Sequence, residues 1–291
     1  MTHVEPKFDN GDMSQRFESQ FEASDKTEVF FQEWRELTEN GVVLITHGLS
    51  EHSECYDHVA KAINEMGWSV VAWDLRGHGR SEGKRGFVRK FSEYIDDHKK
   101  MIEIVIKEKK EDAPLVLLGH SMGGLITLLT SLQLPTGTLQ GLALSSPALG
   151  YAIKVPIWKD KFARVATKYF PSVTLHNELD YDDLTHDSEF LDSYPKDTLR
   201  HEKISPNIYL GMLEGFAEVF VNKDQIPGPI FFQIAGHDKI VDSLKSKQLF
   251  EELQISEKRL EIYAESYHEI YNDFERETCF KDLKNFLGSI K

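Results

Sequence analysis

The sequence predicts an α/β fold: a mostly parallel central sheet flanked by helices, interrupted once by a helical insertion. Three observations carry this. Five short apolar runs lack alternation, as strands buried on both faces do. Stretches with helical periodicity separate those runs, which implies crossover connections and a parallel sheet. The alternation then stops between about residues 151 and 226, too long a gap for a loop.

In chain order, residues 16–21 and 29–34 read as an antiparallel hairpin at one sheet edge. The run Val42-Val43-Leu44-Ile45 is the first buried strand, and 56–66 the helix after it. Residues 69–73 (Ser-Val-Val-Ala-Trp) form the next strand, followed by a helix over 94–110. Leu115-Val116-Leu117-Leu118 is a strand, 122–133 a helix, and 139–144 a strand. After the gap, Ile230-Phe231-Phe232-Gln233-Ile234 is a strand and 243–253 a helix. Residues 259–264 alternate more, which suits a strand toward an edge, and 279–290 close the chain as a helix. Residues 1–150 and 227–291 are therefore expected to build the core. Residues 151–226, with Pro156, Pro171, Pro195 and Pro206, are expected to form a helical cap. It would lie over the carboxyl ends of the strands, where open α/β sheets bind ligands.

Composition removes several function classes. The 291 residues carry a net charge of −14, against the basic footprint of a duplex nucleic-acid binder. Hydrophobic residues at 40% are enough for a core. Cys55 and Cys279 are too few for a disulfide scaffold or a cysteine-rich zinc module. The twelve histidines are scattered, with no H-x-x-x-H pair, so no metal or organic cofactor is expected. Residues 1–20 hold no apolar signal-like run, and no stretch is apolar enough to span a bilayer. A cytoplasmic protein is the expectation.

Gly119-His120-Ser121-Met122-Gly123 fits G-x-S-x-G. A buried strand runs into it and a helix with Leu125, Ile126, Leu128, Leu129 and Leu132 leaves it. That is the setting of a nucleophile elbow, a turn too sharp for side chains at the flanking glycines. Ser121 is the candidate nucleophile. It needs a base, and the base an orienting carboxylate. In this architecture they follow in the order Ser, acid, His. His268, the last histidine, stands just past the strand at 259–264. Asp238 ends the preceding strand in Ala235-Gly236-His237-Asp238, with Asp242 its rival four residues on. His237 sits at the acid's own strand end and is expected to be a neighbour. Acyl transfer also needs two donors for the oxyanion. The backbone amides of Met122 and of Leu49, in Thr46-His47-Gly48-Leu49, are the candidates, and His47 is expected to shape that loop.

Together these residues resemble the α/β-hydrolase superfamily, and within it the monoacylglycerol lipase and lysophospholipase branch of serine aminopeptidase-like hydrolases. His47-Gly48-Leu49-Ser50-Glu51-His52-Ser53 resembles its His-Gly-x-x-Glu-His-Ser loop. Asp74-Leu75-Arg76-Gly77-His78-Gly79-Arg80-Ser81-Glu82-Gly83 resembles its Asp-x-x-Gly-His-Gly-x-Ser-x-Gly segment. Leu184-Thr185-His186-Asp187 and His201-Glu202-Lys203-Ile204-Ser205 resemble cap segments of bacterial members. The resemblance runs from about Phe17 to the C-terminus. It implies Ser121 as nucleophile, His268 as general base and acid, Asp238 as orienter, and Leu49 and Met122 as oxyanion amides. One departure concerns the loop. Many relatives follow His-Ser with a small residue, Arg and Tyr, whereas this chain has Glu54-Cys55-Tyr56. The charge that would brace the loop is missing there.

A capped apolar pocket suits one acyl chain, so a monoacylglycerol or lysophospholipid ester is the expected substrate. No obligatory protein partner is evident. The same triad would serve a small-ester esterase, a thioesterase or a peptidase. A peptidase would use cap acids such as Glu178, Asp180, Asp182 and Asp183 to hold an amino terminus. A catalytically dead binding protein would have lost a triad member, and none is lost. Residues 151–170 carry Lys154, Lys159, Lys161, Arg164 and Lys168 against Asp160 alone. Two readings stand. Either Ile153, Trp158, Lys159, Lys161 and Phe162 meet an anionic membrane peripherally, or the aromatics pack inward and the lysines face water.

Overall fold

The computed structural model describes residues 15–152, 156–170 and 172–290. Among them, eight strands form one sheet in the order β1-β2-β4-β3-β5-β6-β9-β10. These are β1 (Gln15–Glu22), β2 (Glu28–Arg35), β3 (Val42–Thr46), β4 (Ser69–Trp73), β5 (Leu115–His120), β6 (Gly141–Ser145), β9 (Ile230–Ala235) and β10 (Lys258–Tyr263). From β4 to β10 every neighbouring pair is parallel. The hairpin β1–β2 is antiparallel and joins β4 at one edge, as the sequence suggests. β10 is the opposite edge and only partly buried, which accounts for its alternation. This is the mostly parallel, helix-flanked sheet expected.

The strands are apolar throughout because each face meets its own layer of helices. Leu44, Leu117, Leu144 and Phe232 point into one core. They meet Met101 and Ile102 of α2 (Ser92–Glu108) and Leu125 and Leu129 of α3 (Met122–Ser131). Leu249 of α7 (Ser243–Glu252) belongs to the same core. The intervening residues Val43, Ile45, Val116, Leu118 and Phe231 point the other way. They meet Val59 and Ile63 of α1 (Asp57–Asn64) and Phe280 and Leu283 of α8 (Arg276–Ser289). A period of two along each strand thus feeds both cores, so no strand position can be polar without a partner.

The chain between β6 and β9 leaves the sheet. It holds α4 (Ile157–Tyr169), α5 (Ser188–Ser193) and α6 (Pro206–Val221). Ser205 caps α6, its hydroxyl accepting from the Ile208 amide at 3.4 Å, and Pro206 occupies the first turn. α6 packs on α3, with Gly215 against Leu125 and Leu129. β7 (Leu175–His176) and β8 (Lys203–Ile204) form a short antiparallel pair that the sequence did not suggest. Two residues per strand, three of the four exposed, leave no apolar run to read. Among the described residues no helix is long and apolar enough to cross a membrane, and both cysteines are free.

Candidate active site

The site is built where β5 turns into α3. Ser121 adopts φ +51° and ψ −121° between them. A left-handed backbone at a non-glycine residue costs roughly 1–3 kcal/mol and persists only when its surroundings enforce it. Here the Ser121 amide donates to Ser145 O at 3.0 Å, and its carbonyl accepts from Gly124, Leu125 and Ala148. Gly123 must lack a side chain, because a Cβ would press into the Thr46 and His47 carbonyl oxygens. The loop after β3 thus packs directly on the turn. At Gly48 a Cβ would stand 3.0 Å from that of Ser121.

The structure brings Ser121, His268 and Asp238 together from three separate strand ends. Ser121 Oγ lies 2.9 Å from His268 Nε2. His268 Nδ1 lies 2.7 Å from Asp238 Oδ2. The Asp238 side chain is fully buried, and its Oδ1 accepts from the Ile240 and Val241 amides at 2.9 Å each. The carboxylate is therefore fixed, Nδ1 carries the imidazole proton, and Nε2 is left to accept from the serine hydroxyl. Burial works against a charged His268, but the adjoining Asp238 carboxylate outweighs it and raises the pKa above the ordinary 6.5. Such a chain can take the hydroxyl proton as the oxygen attacks a carbonyl. Asp242 does not join it: that residue caps α7 through the Leu244 amide. His237 is exposed at the end of β9.

Leu49 and Met122 both line the cavity above Ser121. Among the described residues neither amide is spent on an acceptor. Loop geometry is enforced from below. His47 Nε2 accepts from the Leu75 amide at 2.9 Å, so its proton sits on Nδ1, which donates to Gly48 O at 2.7 Å. Burial lowers its pKa to about 4, which keeps it neutral and in that tautomer. Asp74 receives the Ser53 and Arg80 amides, both at 2.7 Å, and so ties the next segment to the same loop.

Sequence reasoning missed a second, buried group of charges. Glu51 accepts from the Gly48 amide and from Tyr56 Oη at 2.8 Å. Burial and the nearby Glu269 push it up to about 7. Glu269, next to His268, accepts from Tyr194 Oη and from Asn272 Nδ2 at 2.6 Å. Arg200 overcomes burial and holds it down to about 2. Glu51 lies in the loop motif and Glu269 directly follows His268, but nothing in the sequence ties Arg200 to them. His120, the first variable residue of G-x-S-x-G, lies 4.8 Å from the His268 ring at a tilt of 50° and is lowered to about 3 by burial. It stays neutral beside a charged His268.

The insertion motif at 184–187 also acquires a function. Leu184 O accepts from the Glu269 amide at 2.8 Å, and Thr185 Oγ1 donates to Asn272 O at 2.7 Å. His186 Nδ1 pairs with Asp273 at 2.8 Å, and Asp187 with Arg276 at 2.5 Å. The insertion clamps the turn that carries His268.

His52, Cys55 and Asp197 present donor atoms within 4.8 Å of one another, the ligand types of a metal site. The cation's place is taken. The Arg200 guanidinium lies 3.6 Å from Cys55 Sγ and 3.9 Å from Asp197 Oδ2. Burial disfavours a charged His52, yet Asp197 at 2.7 Å raises it to about 10. Asp197 pairs with His52 and Arg200, and the Cys55 sulfur accepts from the guanidinium.

Above Ser121 opens a cavity of about 540 Å³, in the range of pockets that hold one small ligand. Tyr151, Leu175, Ile204, Met212 and Val241 give it largely apolar walls. α4 stands at its mouth. That helix turns its small residues, Ala163 and Ala166, inward and leaves Trp158 65%, Phe162 48% and Tyr169 63% exposed. Aromatics packed inward, one of the two sequence readings, are not what the helix shows. Ile153 lies outside the described residues.

Comparison with known proteins agrees with this architecture. Residues 38–275 match the family model described as serine aminopeptidase, S33. The chain is 32% identical over 254 residues to phospholipase YtpA of Bacillus subtilis, covering 87% of this chain and 97% of that protein. It is 29% identical over 278 residues to a monoacylglycerol lipase of Mycolicibacterium smegmatis, covering 95% and 98%. The crystal structure of Paleococcus ferrophilus monoacylglycerol lipase superposes with a TM-score of 0.82 at 29% identity, covering 90% and 98%.

Proposed function

Because the chain belongs to the serine aminopeptidase (S33) family of α/β-hydrolases, within its lipase and esterase group, we propose that it cleaves the carboxylic ester of a monoacyl lipid with an uncharged head group. The observation that carries this is the Ser121–His268–Asp238 chain opening onto a largely apolar cavity sized for one small ligand. Ser121 Oγ attacks the ester carbonyl while His268 Nε2 takes its proton. The Leu49 and Met122 amides receive the oxyanion. Collapse expels the alcohol, protonated by His268, and leaves an acyl-enzyme. His268 then activates water, the acyl–Ser121 bond breaks, and the fatty acid departs. Residues 151–226 act as the cap on a core of 1–150 and 227–291.

The cavity's charges favour a glycerol head group over a phosphate. Lys159 is held by Glu178 at 2.5 Å, Lys239 by Asp183 at 2.9 Å, and Arg200 by Glu269 at 3.4 Å. Among the described lining residues every lysine and arginine is thus paired, and a lipid phosphate would meet their carboxylates instead. The same pairs disfavour a peptidase: Glu178 and Asp183 are already neutralised, and Asp180 caps the turn at Tyr181–Asp183. Fatty-acid release from monooleoylglycerol should exceed that from the matched lysophosphatidylcholine at least about tenfold in kcat/KM. Equal or faster cleavage of the lysophospholipid would refute the head-group assignment. Release from neither lipid, with a short ester still cleaved, would move the protein to the small-ester or thioester reading.

α4 supports a peripheral membrane contact for a cytoplasmic enzyme. Trp158, Phe162, Val165 and Tyr169 follow at helical spacing and are all exposed, and the first two line the cavity. Lys161 and Lys168 are exposed beside them on an otherwise acidic chain. Such a stripe suits an anionic lipid surface. Sedimentation with vesicles containing anionic phospholipid should show binding that weakens as salt rises. Binding that is absent, or indifferent to salt, would remove the membrane from this account.

A further inference from the structure

We infer that Arg200 is a positioning residue of the reaction: a cation supplied by the insertion that holds the Gly48–Glu51 loop and the His268–Glu269 turn in register around Ser121. The inference rests on the proposed hydrolase site and adds a residue that the triad does not contain.

Arg200 is only 5% exposed, although it faces the cavity. A guanidinium is not buried at a cavity wall without partners. Its nitrogens are directed at three of them. Nη1 lies 3.4 Å from Glu269 Oε1, Nη2 3.6 Å from Cys55 Sγ, and Nε 3.9 Å from Asp197 Oδ2. The Tyr194 ring backs its plane at 4.0 Å. Glu51 feels the same charge.

The two carboxylates matter because of what each adjoins. Glu51 grips the Gly48 amide, one residue from the Leu49 amide that faces the oxyanion. Glu269 follows His268 in the chain, and its amide and side chain fix that turn. Without a cation between them, two buried acids would repel across the site and draw loop and turn apart. Arg200 pairs directly with Glu269, and its charge also favours the ionised form of Glu51.

Position 55 explains why the cation comes from the insertion. There many of the hydrolases this chain resembles carry an arginine in the loop itself, and this chain has Cys55. The Arg200 guanidinium stands 3.6 Å from the Cys55 sulfur, so its charge lies beside the place a side chain from residue 55 would enter. The charge has moved from the loop to the insertion, and the insertion thereby completes the site.

The test uses the full chain and two variants, Arg200→Met alone and Arg200→Met combined with Cys55→Arg. The main readout is the rate at which a fluorophosphonate labels Ser121, which needs no knowledge of the natural ester. Short-ester kcat and KM and thermal melting accompany it. Arg200→Met should slow labelling and lower kcat about a hundredfold, with KM changed far less. Adding Cys55→Arg should recover most of that loss, which a merely structural role for Arg200 would not allow. If Arg200→Met alone fails to fold, the double variant must fold and label. Wild-type labelling in Arg200→Met would overturn the inference. So would a double variant no faster than the single, or one that still fails to fold. Wild type that labels but cleaves no ester would sink the proposed function and leave the Arg200 result readable. Wild type that does not label would overturn both.

Discussion

Ser121→Ala is expected to lower kcat for ester hydrolysis by about a thousandfold or more while leaving the melting temperature nearly unchanged. The substitution removes only Oγ, the atom 2.9 Å from His268 Nε2. The backbone contacts that hold residue 121 at positive φ, through Ser145, Gly124, Leu125 and Ala148, all use its main chain and survive. The loss should therefore fall on the chemistry. Activity within tenfold of wild type, measured on the same ester, would assign the nucleophile elsewhere.

Asp238→Asn should cost about as much or more, on the order of ten-thousandfold, through a different cause. The asparagine would keep the volume. Its carbonyl oxygen can serve either the Ile240 and Val241 amides or His268 Nδ1, but not all three as the carboxylate does. With its oxygen on the amides, the NH2 would face Nδ1 and put the imidazole in the wrong tautomer. The pH profile should separate this from a mere loss of folding. Wild-type kcat depends on neutral His268, whose pKa lies above the ordinary 6.5 because Asp238 favours the charged ring despite burial. The rate should rise with pH through a midpoint above 6.5. Removing the carboxylate leaves burial, which disfavours the charge, so the residual activity of Asp238→Asn should rise at lower pH than wild type. A midpoint that stays in place would mean that Asp238 does not set the state of His268.

The strands of the core were legible because apolar runs without alternation have few other homes in a chain of this size. Val42–Thr46, Leu115–His120 and Ile230–Ala235 are buried at every position. The serine, acid and histidine followed from chain order and from strand ends, and the sheet brings those ends together. Helical spacing on α4 showed which residues share a face, but not which face meets α6. The structure buries Ala163 and Ala166 and leaves the aromatics outside. Arg200 was illegible for another reason. Its partners lie at residues 55, 197 and 269, and two of the three are far from it in the chain and joined to it only by folding. Even Cys55, noted as a departure, pointed to a missing charge and not to its replacement.

Covalent capture reads whether Ser121 is the group acylated during turnover. Intact-mass spectrometry after exposure to a fluorophosphonate, followed by peptide mapping, reads which residue is modified. A single adduct per chain is expected, on Ser121, formed at a rate that rises with pH as His268 loses its proton. An adduct on any other residue, or an unmodified chain that remains folded, would contradict it.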